Sequence, residues 1–365
     1  MRIGTRASAL ALWQTHHIAA RLTALTPDLR IEVVEIVSTG DQIMDVPLTE
    51  VEGTGFFTAT LERALLDGRV DVAVHSYKDL PVAPTEGLVV AAVPARGPVE
   101  DALCARDGLT LATLPSGATV GTCSTRRAAQ VRALRPDLDL RPLRGNVPTR
   151  VGRVTGGEFD AIVLARAGLE RLDLQAHITE VFPVDVLLPA PAQGALAVQC
   201  RDDDRAMRRV LEALEHADTR RAVTAERRLL HALGGGCSVP VGATATCDGQ
   251  RLTLSAGVFA LDTPRALRIA GSGADPDALG IALARGLIDL GASEILAAFG
   301  KAPRFDWAAT PLGPLLSWPS SLKTATGICL SSKFPMCIWW GEENTQICSS
   351  VRLSTRGRCR ELAWA

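Results

Sequence analysis

Apolar positions in residues 5–25 (TRASALALWQTHHIAARLTAL) recur near helical spacing at Leu10, Trp13, Ile18, Leu22 and Leu25, and Thr5 or Ser8 can serve as N-cap, which predicts a first helix. Residues 30–38 (RIEVVEIVS) are rich in β-branched side chains and read as a strand. A second helix is predicted over about 57–66, stopped by Gly68, and then 70–74 (VDVAV) reads as a short buried strand running into the polar loop 75–79 (HSYKD). The same alternation returns downstream. A strand is predicted to end near Gly121, a helix to open at Ser124 or Thr125, another strand to span 159–165 (FDAIVLA), and a further one to lie in GALAVQC after Pro189 and Pro191. Residues 205–233 read as strongly helical up to Gly234, and 239–299 as a small α+β unit. Strands alternating with helices imply parallel βαβ units, and hence an α/β fold.

In open α/β sheets ligands sit beyond the carboxyl ends of strands, so polar residues at strand-to-helix junctions carry the most weight. VAVHSYKDLP delivers Ser76, Lys78 and Asp79 together. Lys78 is the only lysine within residues 1–300 of a chain that otherwise uses arginine. A solvated loop is the plain alternative, but such sole usage points to chemistry. In GTCSTRR, a helix N-terminus capped by Ser124 or Thr125 attracts anions, and Arg126 and Arg127 add forks suited to carboxylate or phosphate. LRGNVPTR supplies Arg144 and Arg150 in a turn-forming sequence, and Arg171 follows the strand FDAIVLA. Singly, each arginine reads as a solvated charge. Clustered at successive strand ends, they suit a ligand rich in carboxylates. Cys237, in GGGCSVPVG, is either a small buried hydrophobe or a sulfur presented on a glycine-rich turn.

Charge sharpens this picture. The 365 residues carry 39 Lys+Arg against 40 Asp+Glu, so binding through a globally basic surface, as nucleic acid requires, is excluded and any anion site must be local. Cysteine and histidine spacings match no zinc or disulfide framework, so no metal is expected. Without an apolar run of membrane-spanning length or a secretory leader, the chain is expected to be cytoplasmic and free of membranes. Composition also breaks near residue 302: five of the six tryptophans and four of the nine cysteines fall in 303–365. That segment is expected to be a poorly ordered tail without catalytic role.

TRASALALWQ, VHSYKDLP, GTCSTRRAAQ, LRGNVPTR, PAPAQGALAVQC and GGGCSVPVG together resemble, in order and spacing, the successive motifs of the porphobilinogen deaminase (hydroxymethylbilane synthase) family over residues 1 to about 302. The resemblance implies two periplasmic-binding-protein-like domains joined by a double crossover, plus a small α+β C-terminal domain. Its boundaries are 1–94 with 195–213, then 95–194, then 217–302, with 303–365 unmatched. It implies a monomeric transferase that joins four porphobilinogen molecules head to tail with loss of ammonia to give hydroxymethylbilane, primed by a dipyrromethane held on Cys237 through a thioether. Asp79 matches the catalytic aspartate and Lys78 flanks it. Arg6, Ser76, Thr122, Ser124, Arg126, Arg127, Arg144, Arg150, Arg171 and Gln193 match positions that bind substrate or cofactor.

Some residues depart from the family pattern. Residues 42–57 match a mobile loop over the site, yet Glu50 and Thr54 stand where many relatives carry lysines; Tyr77, Cys123 and Ala192 replace a common methionine, serine and glycine. A two-lobed binding module for a small dicarboxylate is the rival reading. A phosphate-handling enzyme is weaker, because no Walker-type glycine–lysine motif is present.

Overall fold

The structure, a computed structural model, describes residues 1–36, 58–236 and 239–302. The expectations placed on Glu50, Thr54 and the rest of the loop 42–57, on Cys237, and on the tail 303–365 therefore lie outside the described residues.

Strand β1 (Arg2–Thr5) leads into helix α1 (Ala9–Leu25). Ser8 is its cap, with the hydroxyl accepting from the Ala11 amide at 3.4 Å, and Pro27 follows its end. Ile18 and Leu22 point into the core, whereas Leu25 is 54% exposed. β2 (Glu32–Glu35), α2 (Ala59–Leu66), β3 (Val72–Ser76) and β4 (Leu88–Ala92) follow. The chain then leaves this sheet and builds a second one from β5 (Asp101–Ala105), β6 (Thr119–Gly121), β7 (Asp139–Arg141), β8 (Ala161–Ala165) and β9 (Glu180–Val181). Helices α3 (Thr125–Leu134), α4 (Val147–Thr155) and α5 (Arg166–Glu170) connect those strands. Finally β10 (Leu196–Arg201) returns to the first sheet.

The first sheet has the order β2-β1-β3-β10-β4 and the second β7-β6-β8-β5-β9. The expected parallel pairs are present, with β1 beside β2 and β3, and β6 beside β7 and β8. Two strands depart from that expectation. β10 runs antiparallel between β3 and β4, and β5 runs antiparallel between β8 and β9. Both enter from the opposite lobe, so their direction is set by the crossing and not by a local βαβ unit.

Predicted boundaries shift where tertiary partners intervene. The strand expected at 70–74 lies at 72–76, which puts His75 and Ser76 in the ladder and not in the loop. The single helix expected over 205–233 is two, α6 (Arg205–Glu212) and α7 (Ala217–Ala232). At the break, Glu215 accepts from the Val93 amide and the His216 amide donates to the Val93 carbonyl, so the backbone there answers to β4's exit and not to its own helix. LRGNVPTR is not only a turn: Asn146 caps α4 by accepting from the Thr149 amide at 2.9 Å, and Pro148 sits in the first turn, where its missing N–H costs nothing.

β11 (Val241–Asp248), β12 (Arg251–Phe259) and β13 (Ala266–Gly273) form an antiparallel meander, followed by α8 (Pro276–Asp289) and α9 (Ala292–Ala297). Leu229 and Leu233 of the α7 segment and Leu283 and Leu287 of α8 pack with Val241, Leu252 and Leu254 of the meander. The two helices approach closely at Gly280, where a Cβ would sit 2.5 Å from the Ala225 carbonyl oxygen. Among the described residues no helix is long and apolar enough to cross a membrane.

Candidate active site

β3 ends at Ser76 and passes into one tight helical turn, Tyr77–Asp79. This turn is held from several sides. The Ser76 hydroxyl accepts from Gln14 Nε2 of α1 at 2.8 Å, and the Tyr77 amide donates to the Ala195 carbonyl. Arg227 of α7 lies over the Tyr77 ring at 4.4 Å and donates to the carbonyls of Tyr77, Leu80 and Pro81. With its backbone fixed, the turn presents Asp79 to solvent and keeps Lys78 half-buried. Lys78 Nζ donates to Gln193 Oε1 at 3.3 Å. Burial pushes the Lys78 ammonium down to about 8, with Asp79 and Asp101 opposing that shift and Arg127 and Arg126 adding to it.

The second cluster is at the start of α3. Thr122 is buried and its hydroxyl accepts from the Ser124 amide, while Ser124 caps the helix by accepting from the Arg127 amide at 3.4 Å. Arg126 and Arg127 are not open forks on the surface; both are buried on Asp101, the first residue of β5. Arg126 Nη1 donates to Asp101 Oδ2 at 2.6 Å and to the Leu188 carbonyl. Arg127 donates through Nε and Nη2 to Asp101 Oδ1 and through Nη1 to the Val163 carbonyl. Burial alone would raise the Asp101 carboxyl, yet the two guanidinium groups hold it well below the usual carboxylate range. Gln193 completes the group by donating from Nε2 to Asp101 Oδ1 at 2.9 Å and to the Val99 carbonyl at 2.7 Å.

Arg150, on α4, donates to the Gly145 carbonyl, and burial lowers its pKa, with Arg127 and Arg144 adding like charge and Asp79 opposite charge. Arg171 lies 5.5 Å over the Trp13 ring, donates to the Gly194 carbonyl, and is pushed down to about 10 by burial. Arg6 is half-buried just beyond β1, and its charge is felt by His75. Asp79, Lys78, Arg126, Arg127, Arg144 and Arg150 thus act on one another electrostatically, and Gln193 and Gly194 link Lys78 to the Arg171 side. Two buried donors, Arg126 Nε and Arg144 Nη2, have no protein partner among the described residues. Orphaned guanidinium N–H groups beside an exposed carboxylate and a half-buried ammonium suit a ligand that brings several carboxylates and a basic leaving group.

Sequence reasoning missed Asp101, Glu226 and Arg96. Glu226 is fully buried, takes both Nη atoms of Arg96, and accepts from the amides of Ala192 and Ala245. Arg96 Nε in turn holds the Gln193 carbonyl at 2.7 Å. The only local signal for Asp101 is a lone acid at the head of an apolar strand.

The profile described as "Porphobilinogen deaminase, dipyromethane cofactor binding domain" matches residues 1–209, and "Porphobilinogen deaminase, C-terminal domain" matches 220–289. The chain is 45% identical to a porphobilinogen deaminase of Brevibacillus brevis over 297 residues, covering 81% of this chain and 96% of that protein. It is 51% identical over 307 residues to one of Thermobifida fusca, covering 81% and 95%. Among solved structures, the periplasmic aliphatic sulphonate binding protein of Escherichia coli is similar with a TM-score of 0.33 at 18% identity, over 63% of this chain and 68% of that one.

Proposed function

The chain belongs to the porphobilinogen deaminase family, and on that premise we propose that Asp79 and Lys78 carry its deaminating chemistry while the surrounding arginines hold the carboxylates of substrate and cofactor. The enzyme is a transferase of tetrapyrrole biosynthesis: it joins porphobilinogen molecules head to tail with loss of ammonia, giving hydroxymethylbilane, on a dipyrromethane cofactor. When bound, the dipyrromethane supplies a nucleophilic pyrrole carbon from which the polymer is built.

The reading rests on one observation above the others, the pair of buried donors without partners among the described residues, Arg126 Nε and Arg144 Nη2, in a site that already holds Asp79 and Lys78. Every pyrrole carries an acetate and a propionate, so a chain of them needs several separate cationic contacts. Arg6, Arg126, Arg144, Arg150 and Arg171 would provide them, with Arg127 keeping Arg126 and Asp101 in place. Thr122, Ser124 and Ser76 add hydroxyls. Asp79, exposed at the tip of a pinned turn, would accept from pyrrole N–H groups and stabilise positive charge as the aminomethyl nitrogen departs. Lys78, near 8, holds its proton at neutral pH and stands beside that carboxylate as a cationic partner for substrate.

We place the cofactor on Cys237, in the sequence GGGCSVPVG, through a thioether. We further propose three domains, 1–94 with 195–213, 95–194 and 217–302, in a monomeric cytoplasmic enzyme. Intact-protein and peptide mass spectrometry tests the assignment: a mass excess of two pyrrole units located on Cys237, with a coloured adduct on p-dimethylaminobenzaldehyde, is expected. Active protein with an unmodified Cys237 overturns it.

A further inference from the structure

We propose that Asp101 is the positioning residue of this site, a buried carboxylate that aims Arg126 and Arg127 and, through the Gln193 amide, fixes Lys78 beside Asp79. The inference rests on the functional reading above for what Lys78 does, but its geometry is independent of it.

Asp101 is fully buried and accepts four hydrogen bonds from three side chains: Arg126 Nη1 on Oδ2, and Arg127 Nε, Arg127 Nη2 and Gln193 Nε2 on Oδ1. Such a group is weak evidence for stability, because buried ion pairs are commonly replaceable by apolar side chains without loss. It is better explained by what it orients. A primary amide has one donor end and one acceptor end. Gln193 Nε2 faces two acceptors, Asp101 Oδ1 and the Val99 carbonyl, so its Oε1 must face Lys78 Nζ, where it lies at 3.3 Å. The Asp101 carboxylate therefore selects the amide orientation that gives the ammonium an acceptor. If Asp101 were neutral and presented a donor, the amide would gain by turning its NH2 toward Lys78, setting donor against donor.

The same carboxylate adjusts charge. Two guanidinium groups against one carboxylate leave a net positive pair that repels Lys78, while Asp101 and Asp79 attract it. Among the described residues these four are the charged groups that act most strongly on Lys78. Removing the Asp101 charge leaves both arginines uncompensated, so the Lys78 titration moves down.

The test reads Lys78 directly on the full-length, cofactor-loaded enzyme, by competitive acetylation with acetic anhydride across pH 6 to 10.5 and peptide mass spectrometry. Asp101→Asn and Gln193→Met are each expected to lower the Lys78 midpoint by about half a unit or more. Both should reduce kcat by about tenfold or more, whereas Asp101→Glu should recover part of the loss. Gln193→Met leaves the Asp101–arginine group intact, so it remains decisive if Asp101→Asn does not fold. A Lys78 midpoint unchanged in every folded variant overturns the inference, even where activity falls. If the parent enzyme forms no hydroxymethylbilane, the functional reading fails while the acetylation result still decides the role of Asp101.

Discussion

Glu226→Gln removes one oxygen from a carboxylate that accepts four hydrogen bonds. Oε1 accepts from Arg96 Nη1 at 2.6 Å and the Ala245 amide at 2.7 Å; Oε2 accepts from Arg96 Nη2 at 2.9 Å and the Ala192 amide at 2.6 Å. Whichever way the new amide turns, its NH2 meets one guanidinium N–H and one backbone N–H. Two hydrogen bonds are lost, a buried amide is left without an acceptor, and Arg96, whose side chain is only 10% exposed, loses its counter-charge. Breaking a buried pair in this way costs about 3–5 kcal/mol. For a chain of this size that lowers the melting midpoint by roughly 4–8 °C. Thermal and urea denaturation of the parent, Glu226→Gln, Arg96→Met and the double variant form a cycle, and contact between the two side chains predicts a coupling energy above about 1 kcal/mol. Additive effects, or a Glu226→Gln midpoint within about 2 °C of the parent, would refute the reasoning. Because Arg96 also holds the Gln193 carbonyl, the variant should lose turnover beyond what its stability explains.

Asp79→Asn should cut porphobilinogen consumption by about a hundredfold or more while leaving the melting midpoint unchanged, since its side chain is exposed; near-normal turnover would remove Asp79 from its role. His75 is buried, donates from Nε2 to Gln199 Oε1 at 3.1 Å, and is pushed by burial down to about 4, so between pH 6.5 and 4 the unfolded chain binds a proton that the folded one refuses. Stability is therefore full above the ordinary histidine range and falls by about 3 kcal/mol as pH drops through that window, and His75→Gln should flatten this limb in urea titrations. Ala192 holds φ +62°, so Ala192→Gly should be neutral to stabilising by up to about 1 kcal/mol. Gly194→Ala should yield no soluble enzyme, because at φ +83° its Cβ would lie 2.4 Å from the Pro98 carbonyl oxygen.

What the sequence made legible was local. Ser8 and Ser124 announced their helices because a cap and the amide it accepts from are three residues apart. Lys78 stood out because residues 1–300, which otherwise use arginine, keep a single lysine where a strand ends. The reverse direction of β10, the break at Ala213–His216, and the burial of Arg126 and Arg127 were not legible, because each is decided by a partner far along the chain. Arg127 read as an open fork for an anion; its nearest acceptor is an aspartate 26 positions upstream, and periodicity carries no record of such a pairing. Strand-to-helix alternation was visible for the same local reason, but which strands would lie antiparallel depends on the crossings between sheets.

Asp101 and Glu226 use the same chemistry to opposite ends, and the difference separates site from scaffold. At Glu226 every donor is met: one guanidinium and two backbone amides converge on one carboxylate, and charge balances one to one. A fully satisfied buried network is rigid, and this one ties the 94–97 crossing, the Ala192 turn, α7 and β11 to a single point. At Asp101 two guanidinium groups face one carboxylate, and Arg126 keeps a buried N–H with no partner among the described residues. Folding alone gives no reason to bury an unanswered N–H donor, since the cost of an unpaired polar group is greatest where water is excluded. A ligand that brings its own carboxylates resolves both the orphaned donor and the surplus charge, and it explains why a chain with 39 basic and 40 acidic residues concentrates its imbalance at the ends of a few strands.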